Sequence, residues 1–244
     1  MSKIAIIIPS RLDAVRLPNK PLELINNKEM ILHVYEAAKK TNSEVYVATP
    51  DQKIIDVVNQ NKGKAVFTSA DHQTGTDRIY EVFKDHLKSE PNLIINLQGD
   101  MPNIEPQAIS NLINYMKEGN CDIGTLASSF SSDDELADEN NVKVAAKEKL
   151  TNGKFSEALD FFRKDSNEYE NYYHHVGIYA FTNKALVRYV SLKRSKLELE
   201  RKLEQLRALE NSMSIHVGYI NSSPLSVDTK NDLMEVRKIM EKSS

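Results

Sequence analysis

The sequence predicts an α/β protein built on an open, mostly parallel sheet, and three observations carry that reading. Lys3–Ile8 runs into a continuous apolar stretch rich in β-branched residues, the pattern of a strand buried on both faces of a parallel sheet. Short β-rich runs then alternate with helical patterns as far as residue 117, joined by short connections. After about residue 120 the rhythm changes to strand after strand with little helix between, which predicts a second, mixed-sheet lobe.

In order, Lys28–Lys40 is a helix because Met30, Ile31, Val34, Tyr35 and Ala38 fall on one face. Glu44–Thr49 is a strand, and Asp51–Gln60 a helix with its acid at the positive end of the dipole. Lys64–Thr68, Thr76–Leu87, Leu93–Gln98 and Glu105–Lys117 continue as strand, helix, strand and helix. In the second part Ile123–Phe130, Val142–Ala146, Ala158–Phe162 and Val176–Phe181 are expected strands. Thr182–Val190 and Leu197–Glu210 are expected helices, the latter with Leu199, Leu203, Leu206 and Leu209 on one stripe. Ser214–Ile220 and Leu225–Asp228 return as strands. A last helix starts at Thr229, with Asp232 completing a capping box.

The 244 residues suit a single domain, 1–244, carrying a β-rich lobe approximately within 123–181. With 32 basic and 35 acidic residues the net charge is −3, which argues against nucleic acid as the main partner. The longest apolar run, Ile4–Pro9, is far short of the about 20 residues that span a bilayer, so no membrane is expected. No h-region or cleavage site follows Lys3, so a secretory leader is not expected. The one cysteine, Cys121, has no motif around it and fits a reducing, cytoplasmic setting as a bystander thiol.

Ligands of open α/β sheets sit beyond the carboxyl ends of the strands, so the chemistry is sought there. Arg11, Arg16 and Lys20 lie within ten residues of loop after the first strand, between Pro9 and Pro21. Three fixed cations at that edge suit a polyphosphate, and a solvated basic loop is the alternative. No GxGxxG and no Gly-rich Walker loop is present, which argues against a nicotinamide dehydrogenase and a P-loop NTPase. Asp100 follows the fourth strand behind Gly99 and reads either as a Mg²⁺ ligand or as a cap for the next helix. Asp228 carries the same two readings, although Thr229 is the more natural cap. Together these pieces form a coherent metal-assisted phosphoryl- or nucleotidyl-transfer site. Gly75 and Thr76 turn tightly into a helix whose first amides can meet an anion or a base edge, and Arg78 there needs a compensating partner. For His174 a strand role with satisfied ring nitrogens is preferred, and Leu197–Glu210 reads as a packed helix.

Six segments in order are similar to the CMP-sugar-acid synthetase family: IIIPSRLDAVRLPNKPL at 6–22, ADHQTGTDR at 70–78, NLQGDMP at 96–102, HVGIYAF at 175–181, LEQLRALEN at 203–211 and SVDT at 226–229. The likeness runs from Ile4 to about Val236. It implies a nucleotide-diphospho-sugar-transferase-like α/β sheet with a smaller β-rich dimerisation lobe, and a homodimer. The implied reaction joins CMP from CTP to the anomeric hydroxyl of an eight-carbon 2-keto-3-deoxy sugar acid. Pyrophosphate is released, and the product serves lipopolysaccharide synthesis. An 8-amino-8-deoxy or sialic-type acceptor, or a non-catalytic sugar-nucleotide binder, are the alternatives. Carried over by residue, Ser10, Arg11, Arg16, Lys20, Asp71, Gln73, Gly75 and Arg78 bind CTP, and Asp100 and Asp228 hold Mg²⁺. Arg11, Lys20, Asp100 and Asp228 form the catalytic set. Gln98, Arg163, His175, Glu204 and Gln205 bind the sugar acid, with Arg163 matched to its carboxylate. Two positions and two segments depart from the family pattern, one segment being Lys230-Asn231-Asp232 where relatives carry Pro-Glu-Asp. Asn19 stands where relatives carry Gly, and Met101 where they carry Glu. Asp160-Phe161-Phe162-Arg163-Lys164-Asp165 replaces a Tyr-Phe-Ser-Arg segment followed shortly by Ile-Pro. Asn19 can keep the loop's shape because Asn tolerates left-handed backbone angles.

Overall fold

The computed structural model describes residues 3–164 and 169–242. In chain order the elements begin with β1 (Ile4–Pro9), the short strands β2 (Leu24–Ile25) and β3 (Lys28–Glu29), α1 (Met30–Lys39), β4 (Glu44–Thr49), α2 (Gln52–Gln60), β5 (Ala65–Phe67), α3 (Gly75–Glu81), β6 (Leu93–Leu97) and α4 (Pro106–Lys117). Then follow β7 (Ile123–Ser128), α5 (Asp133–Ala137), β8 (Lys143–Ala146), β9 (Phe155–Phe162), β10 (Tyr172–Thr182), α6 (Asn183–Ser191), α7 (Lys196–Arg201), α8 (Leu206–Glu210), β11 (Ile215–Tyr219) and α9 (Lys230–Lys242). They fall into two compact units, residues 3–110 with 224–242, and residues 111–223.

In the first unit β5, β4, β1 and β6 lie side by side, all parallel. The β-branched core of β1 is fully buried at Ile6, Ile7 and Ile8, as a strand covered on both faces requires. α1 buries the predicted face, Met30, Ile31, Val34, Tyr35 and Ala38. Lys28 and Glu29, expected in that helix, instead pair with Leu24–Ile25 in a hairpin. Its turn residues Asn26 and Asn27 have φ of 49° and 61°, the left-handed pair that a two-residue hairpin turn demands. A cluster of Leu17, Ile25, Met30, Val227, Leu233 and Val236 packs the basic loop, this hairpin and α9 together.

In the second unit β10, β7, β11, β9 and β8 are neighbours in that order, and β8 also pairs with the start of β10. Only β7 and β11 run parallel there, so the mixed character expected after residue 120 is present. Two expectations fail. Leu197–Glu210 is not one helix: it breaks at Lys202, whose φ of 55° ends α7, and restarts as α8. The leucine stripe breaks with it, since Leu203 and Leu206 are buried while Leu199 is 54% exposed. Leu225–Asp228 forms no strand; its amides turn to single partners, Leu225 to the Asn103 side chain and Val227 to the Asp100 carbonyl. Among the described residues no helix is long and apolar enough to cross a membrane.

Candidate active site

The carboxyl ends of β1, β4, β5 and β6 form one edge of the first unit's sheet, and the predicted nucleotide residues gather there. Leu17 and Val227 are both buried in the apolar cluster, which fixes the residues beside them, Arg16 and Asp228. The Val227 amide donates to the Asp100 carbonyl at 2.9 Å, so Asp228 emerges next to Asp100. Lys20 then closes the group: its Nζ lies 3.0 Å from Asp100 Oδ2 and 3.0 Å from Asp228 Oδ1. Arg16 Nη2 takes the other oxygen of Asp228 at 2.9 Å. Burial works against the Lys20 charge, but the two carboxylates outweigh it and hold the ammonium above its ordinary value.

Asp228 is not the cap of α9, and Asp100 lies six residues before α4 begins at Pro106. Thr229 Oγ1 accepts from the Asp232 amide, and Asp232 Oδ2 accepts from the amides of Asp228 and Thr229, a complete capping box. Beside Asp100, Gly99 is tightly enclosed: a Cβ there would sit 3.2 Å from Ile31 and 3.4 Å from Ile8 and the Pro9 carbonyl. Two carboxylates able to converge on one cation are hard-oxygen donors, and Mg²⁺ characteristically takes one or two of these while keeping several waters. The pair therefore fits Mg²⁺. Among the described residues no group of three or more His, Cys, Asp or Glu side chains could hold a metal ion.

Asn19 adopts φ 60°, the left-handed geometry expected of it, and leads into a 3₁₀ turn over Lys20–Leu22. The loop's start is tied down by Asp51, whose Oδ2 accepts from the Leu12 amide at 2.8 Å. The Ser10 hydroxyl is buried with no hydrogen-bond partner among the described residues, while Arg11 is exposed. On the neighbouring edge Thr74 caps α3 through the Asp77 amide, and Gly75 lies against Pro9, which a Cβ would approach to 3.3 Å. Asp71 and Gln73 are exposed. Arg78 is buried and finds its compensation inside the protein, donating to Thr68 Oγ1 at 2.6 Å and the Ser69 carbonyl at 2.8 Å. Burial, with the nearby Arg11 charge, lowers its pKa from the ordinary value. Gln98 at the end of β6 donates to Asn96 Oδ1.

The second unit holds the other predicted residues. His175 is buried, and its Nε2 meets the Thr125 hydroxyl at 2.9 Å. That hydroxyl donates to the Ile178 carbonyl at 2.7 Å, so the histidine is the donor and its Nε2 carries the proton. Burial drives the His175 pKa down to about 3, keeping the ring neutral. A bulge in β10 between Val176 and Tyr179 re-aims the strand beside it. Tyr179 consequently stands 5.4 Å from the His175 ring; burial, with the Glu204 charge, raises its phenol well above the usual value. Glu204 and Gln205 occupy the elbow between α7 and α8, where the Glu204 carbonyl accepts from the Tyr189 hydroxyl at 2.9 Å. Arg163 donates from Nη1 to the carbonyls of Glu139 and Asn140. Asp165, the last residue of the departing segment, lies outside the described residues. His174 lies in β10 as expected, but its Nδ1, 2.6 Å from Glu135 Oε1, makes an ion-pair contact without hydrogen-bond geometry, so the expected satisfied ring is not found there; the ring stacks on Phe130. Cys121 is buried, and burial raises its thiol to about 12, an inert form.

Sequence reasoning did not single out Asp51, Thr68, Thr125 or Tyr179. For Tyr179 a signal existed in Gly177, since a glycine inside a strand marks a bulge. For the others the chemistry is ordinary and only the fold reveals it.

A parallel α/β sheet whose carboxyl edge joins two aspartates to a cationic loop defines a nucleotidyltransferase. The comparisons then place the chain more narrowly. It belongs to the cytidylyltransferase family, whose sequence profile matches residues 5–215. A 3-deoxy-manno-octulosonate cytidylyltransferase of Rickettsia bellii (strain OSU 85-389) is 43% identical over 242 residues, covering 98% of this chain and 97% of that protein. One of the same name from Bartonella henselae is 41% identical over 239 residues, covering 96% and 97%. Among solved structures, a CMP:2-keto-3-deoxy-manno-octonic acid synthetase complexed with CTP superposes with a TM-score of 0.89 at 35% identity, covering 100% of both chains. A 4-diphosphocytidyl-2C-methyl-D-erythritol synthase from Anaerococcus prevotii shares the fold at a TM-score of 0.66 and 12% identity, covering 98% and 99%.

Proposed function

We infer that this chain transfers CMP from CTP to the anomeric hydroxyl of 3-deoxy-D-manno-octulosonate (Kdo), releasing pyrophosphate. The observation that carries the reading is the meeting of Lys20, Arg16, Asp100 and Asp228 in a chain that aligns nearly end to end with relatives of that activity. The acceptor oxygen forms a bond to the α-phosphorus as the bond to the bridging oxygen breaks. Pyrophosphate leaves with the electron pair, and the hydroxyl proton passes to water.

Arg11, Arg16 and Lys20 take the triphosphate. Lys20 and Arg16 begin paired with the aspartates, so phosphate oxygens replace carboxylates as their partners and Asp100 and Asp228 are released to hold Mg²⁺. Asp100 and Asp228 would hold Mg²⁺, which would supply positive charge against the α-phosphate and Lewis-acid polarisation of the reacting oxygens. Ser10, with its unpartnered hydroxyl, and the segment from Asp71 through Gln73 and Gly75 to Arg78 bind the rest of the nucleotide. Arg163, His175, Glu204 and Gln205 bind the sugar acid, with Arg163 forked onto its carboxylate. Positioning and electrostatic stabilisation are the whole of the catalysis, so no nucleophilic side chain is required. A cytoplasmic homodimer serving lipopolysaccharide synthesis completes the reading.

Asp100→Asn tests it. Turnover falls by about 100-fold or more while the melting temperature is kept, the scale expected when one preorganised charge is removed. Near-wild-type turnover in that variant contradicts the assignment.

A further inference from the structure

The end of β9, where the chain departs from the family pattern, is held by cations from two sides. Lys143 is fully buried, and its Nζ donates to the carbonyls of Asp138, Asn141 and Arg163 at 2.8, 3.0 and 2.7 Å. Three carbonyls satisfy all three ammonium donors. They also fix the backbone of Arg163 against the 138–141 turn, whose carbonyls in turn take the Arg163 guanidinium. From the other side Arg201 Nη1 reaches both oxygens of Asp160, at 2.9 and 2.8 Å, and the Phe161 carbonyl at 3.0 Å. Tyr169 adds a hydrogen bond to Asp160 Oδ2. The Asp160 carboxylate raises the Arg201 pKa above its ordinary value.

Arg201 is the last residue of α7, directly before the left-handed Lys202 that makes the elbow carrying Glu204 and Gln205. The elbow itself is braced by the buried Glu198–Arg207 pair, at 2.6 and 2.8 Å. Next to Asp160 in β9, Phe161 is edge-on to His175 of β10 at 5.1 Å. Asp160 and Arg201 thus tie the strand that presents Arg163 to the elbow that presents Glu204 and Gln205.

We propose that the Asp160–Arg201 ion pair is a positioning device for the sugar-acid end of the site, setting the spacing between Arg163 and the Glu204–Gln205 elbow without touching the acceptor. The proposal rests on the cytidylyltransferase reading. An acidic side chain in this segment is then not a loss of the acceptor site but one half of a crosslink that holds its two parts in register. Misplacing a binding group by a fraction of an ångström weakens acceptor binding, and leaves a nucleotide held by other residues untouched.

The test is steady-state kinetics of Asp160→Asn, Arg201→Gln and their double variant, with melting temperatures alongside and Arg201→Lys as the conservative control. Each single variant raises KM for Kdo about tenfold with KM for CTP unchanged, the split expected when only acceptor contacts are disturbed. The double variant is no worse than the singles, because both act through one contact. Arg201→Lys, which keeps the charge but has a shorter reach and a single ammonium donor group, falls between wild type and Arg201→Gln. An unchanged KM for Kdo in both singles overturns the proposal, as does a parallel rise in both KM values with a lowered melting temperature. A wild-type protein that releases no pyrophosphate with Kdo or any other keto sugar acid contradicts the underlying activity instead.

Discussion

Lys20 holds together two carboxylates that would otherwise repel each other across a few ångströms. Its side chain is only 15% exposed, and each contact is 3.0 Å long, so the pair is poised for a cation and already contains one. Lys20→Met removes that competitor. The free variant is expected to bind Mg²⁺ more tightly than the wild type by titration calorimetry, while its turnover with CTP drops by about 100-fold or more, as for loss of any preorganised charge on a transferring phosphoryl group. The placing of Lys20 after β1 and of Asp100 after β6 is legible in the sequence, because ligand edges follow from strand order, whereas the strand expected to end at Asp228 does not form. Their mutual pairing is not, since it joins residues 80 and 208 positions apart. His175 carries a pH signature. Its folded pKa is depressed from 6.5 to about 3 by burial, so the unfolded chain takes up a proton first as the pH falls. Its contribution to stability is complete above pH 6.5 and is lost progressively as the pH falls towards 3. A melting series from pH 7 to pH 4 is expected to decline less steeply in His175→Gln than in the wild type.

Among the elements, the ones read well from sequence are those whose burial pattern is long and regular. β1, β4, β6 and α1 announce themselves by β-branched runs or an apolar face. The failures share a cause: a local pattern overruled by contacts from elsewhere in the chain. Leu197–Glu210 has helical spacing throughout, yet Glu198 accepts from both Arg194 and Arg207, and closing that pair folds the segment back at Lys202. Ser226-Val227-Asp228 reads as a strand, yet its one backbone bond to Asp100 serves the site rather than a sheet. The start of α9 was legible from Thr229 and Asp232. Asp232→Ala leaves the Asp228 and Thr229 amides without their acceptor and is expected to cost about 1 kcal/mol in denaturant unfolding, the usual value of a cap. In β11, Gly218 lies under the Phe155 ring, which stacks on Tyr115 at 3.7 Å and cannot withdraw. A Cβ at Gly218 would come within 2.4 Å of that ring. Gly218→Ala is therefore expected to destabilise by about 1–3 kcal/mol through overpacking, and an unchanged urea midpoint would show that the ring yields.

The whole molecule carries a net charge of −3, and its cations at the sheet edge are concentrated rather than spread. That arrangement suits a small polyanion and not a nucleic-acid backbone, which needs a long basic surface. The chain belongs to the cytidylyltransferase family, and the relatives that it matches nearly end to end are named for 3-deoxy-manno-octulosonate. A group transfer that needs both substrates at once is read out by pyrophosphate release. With CTP, Mg²⁺ and Kdo present, the protein is expected to release pyrophosphate, with little release when UTP replaces CTP and none when Kdo is omitted. CTP binding with no Kdo-dependent pyrophosphate would contradict the account.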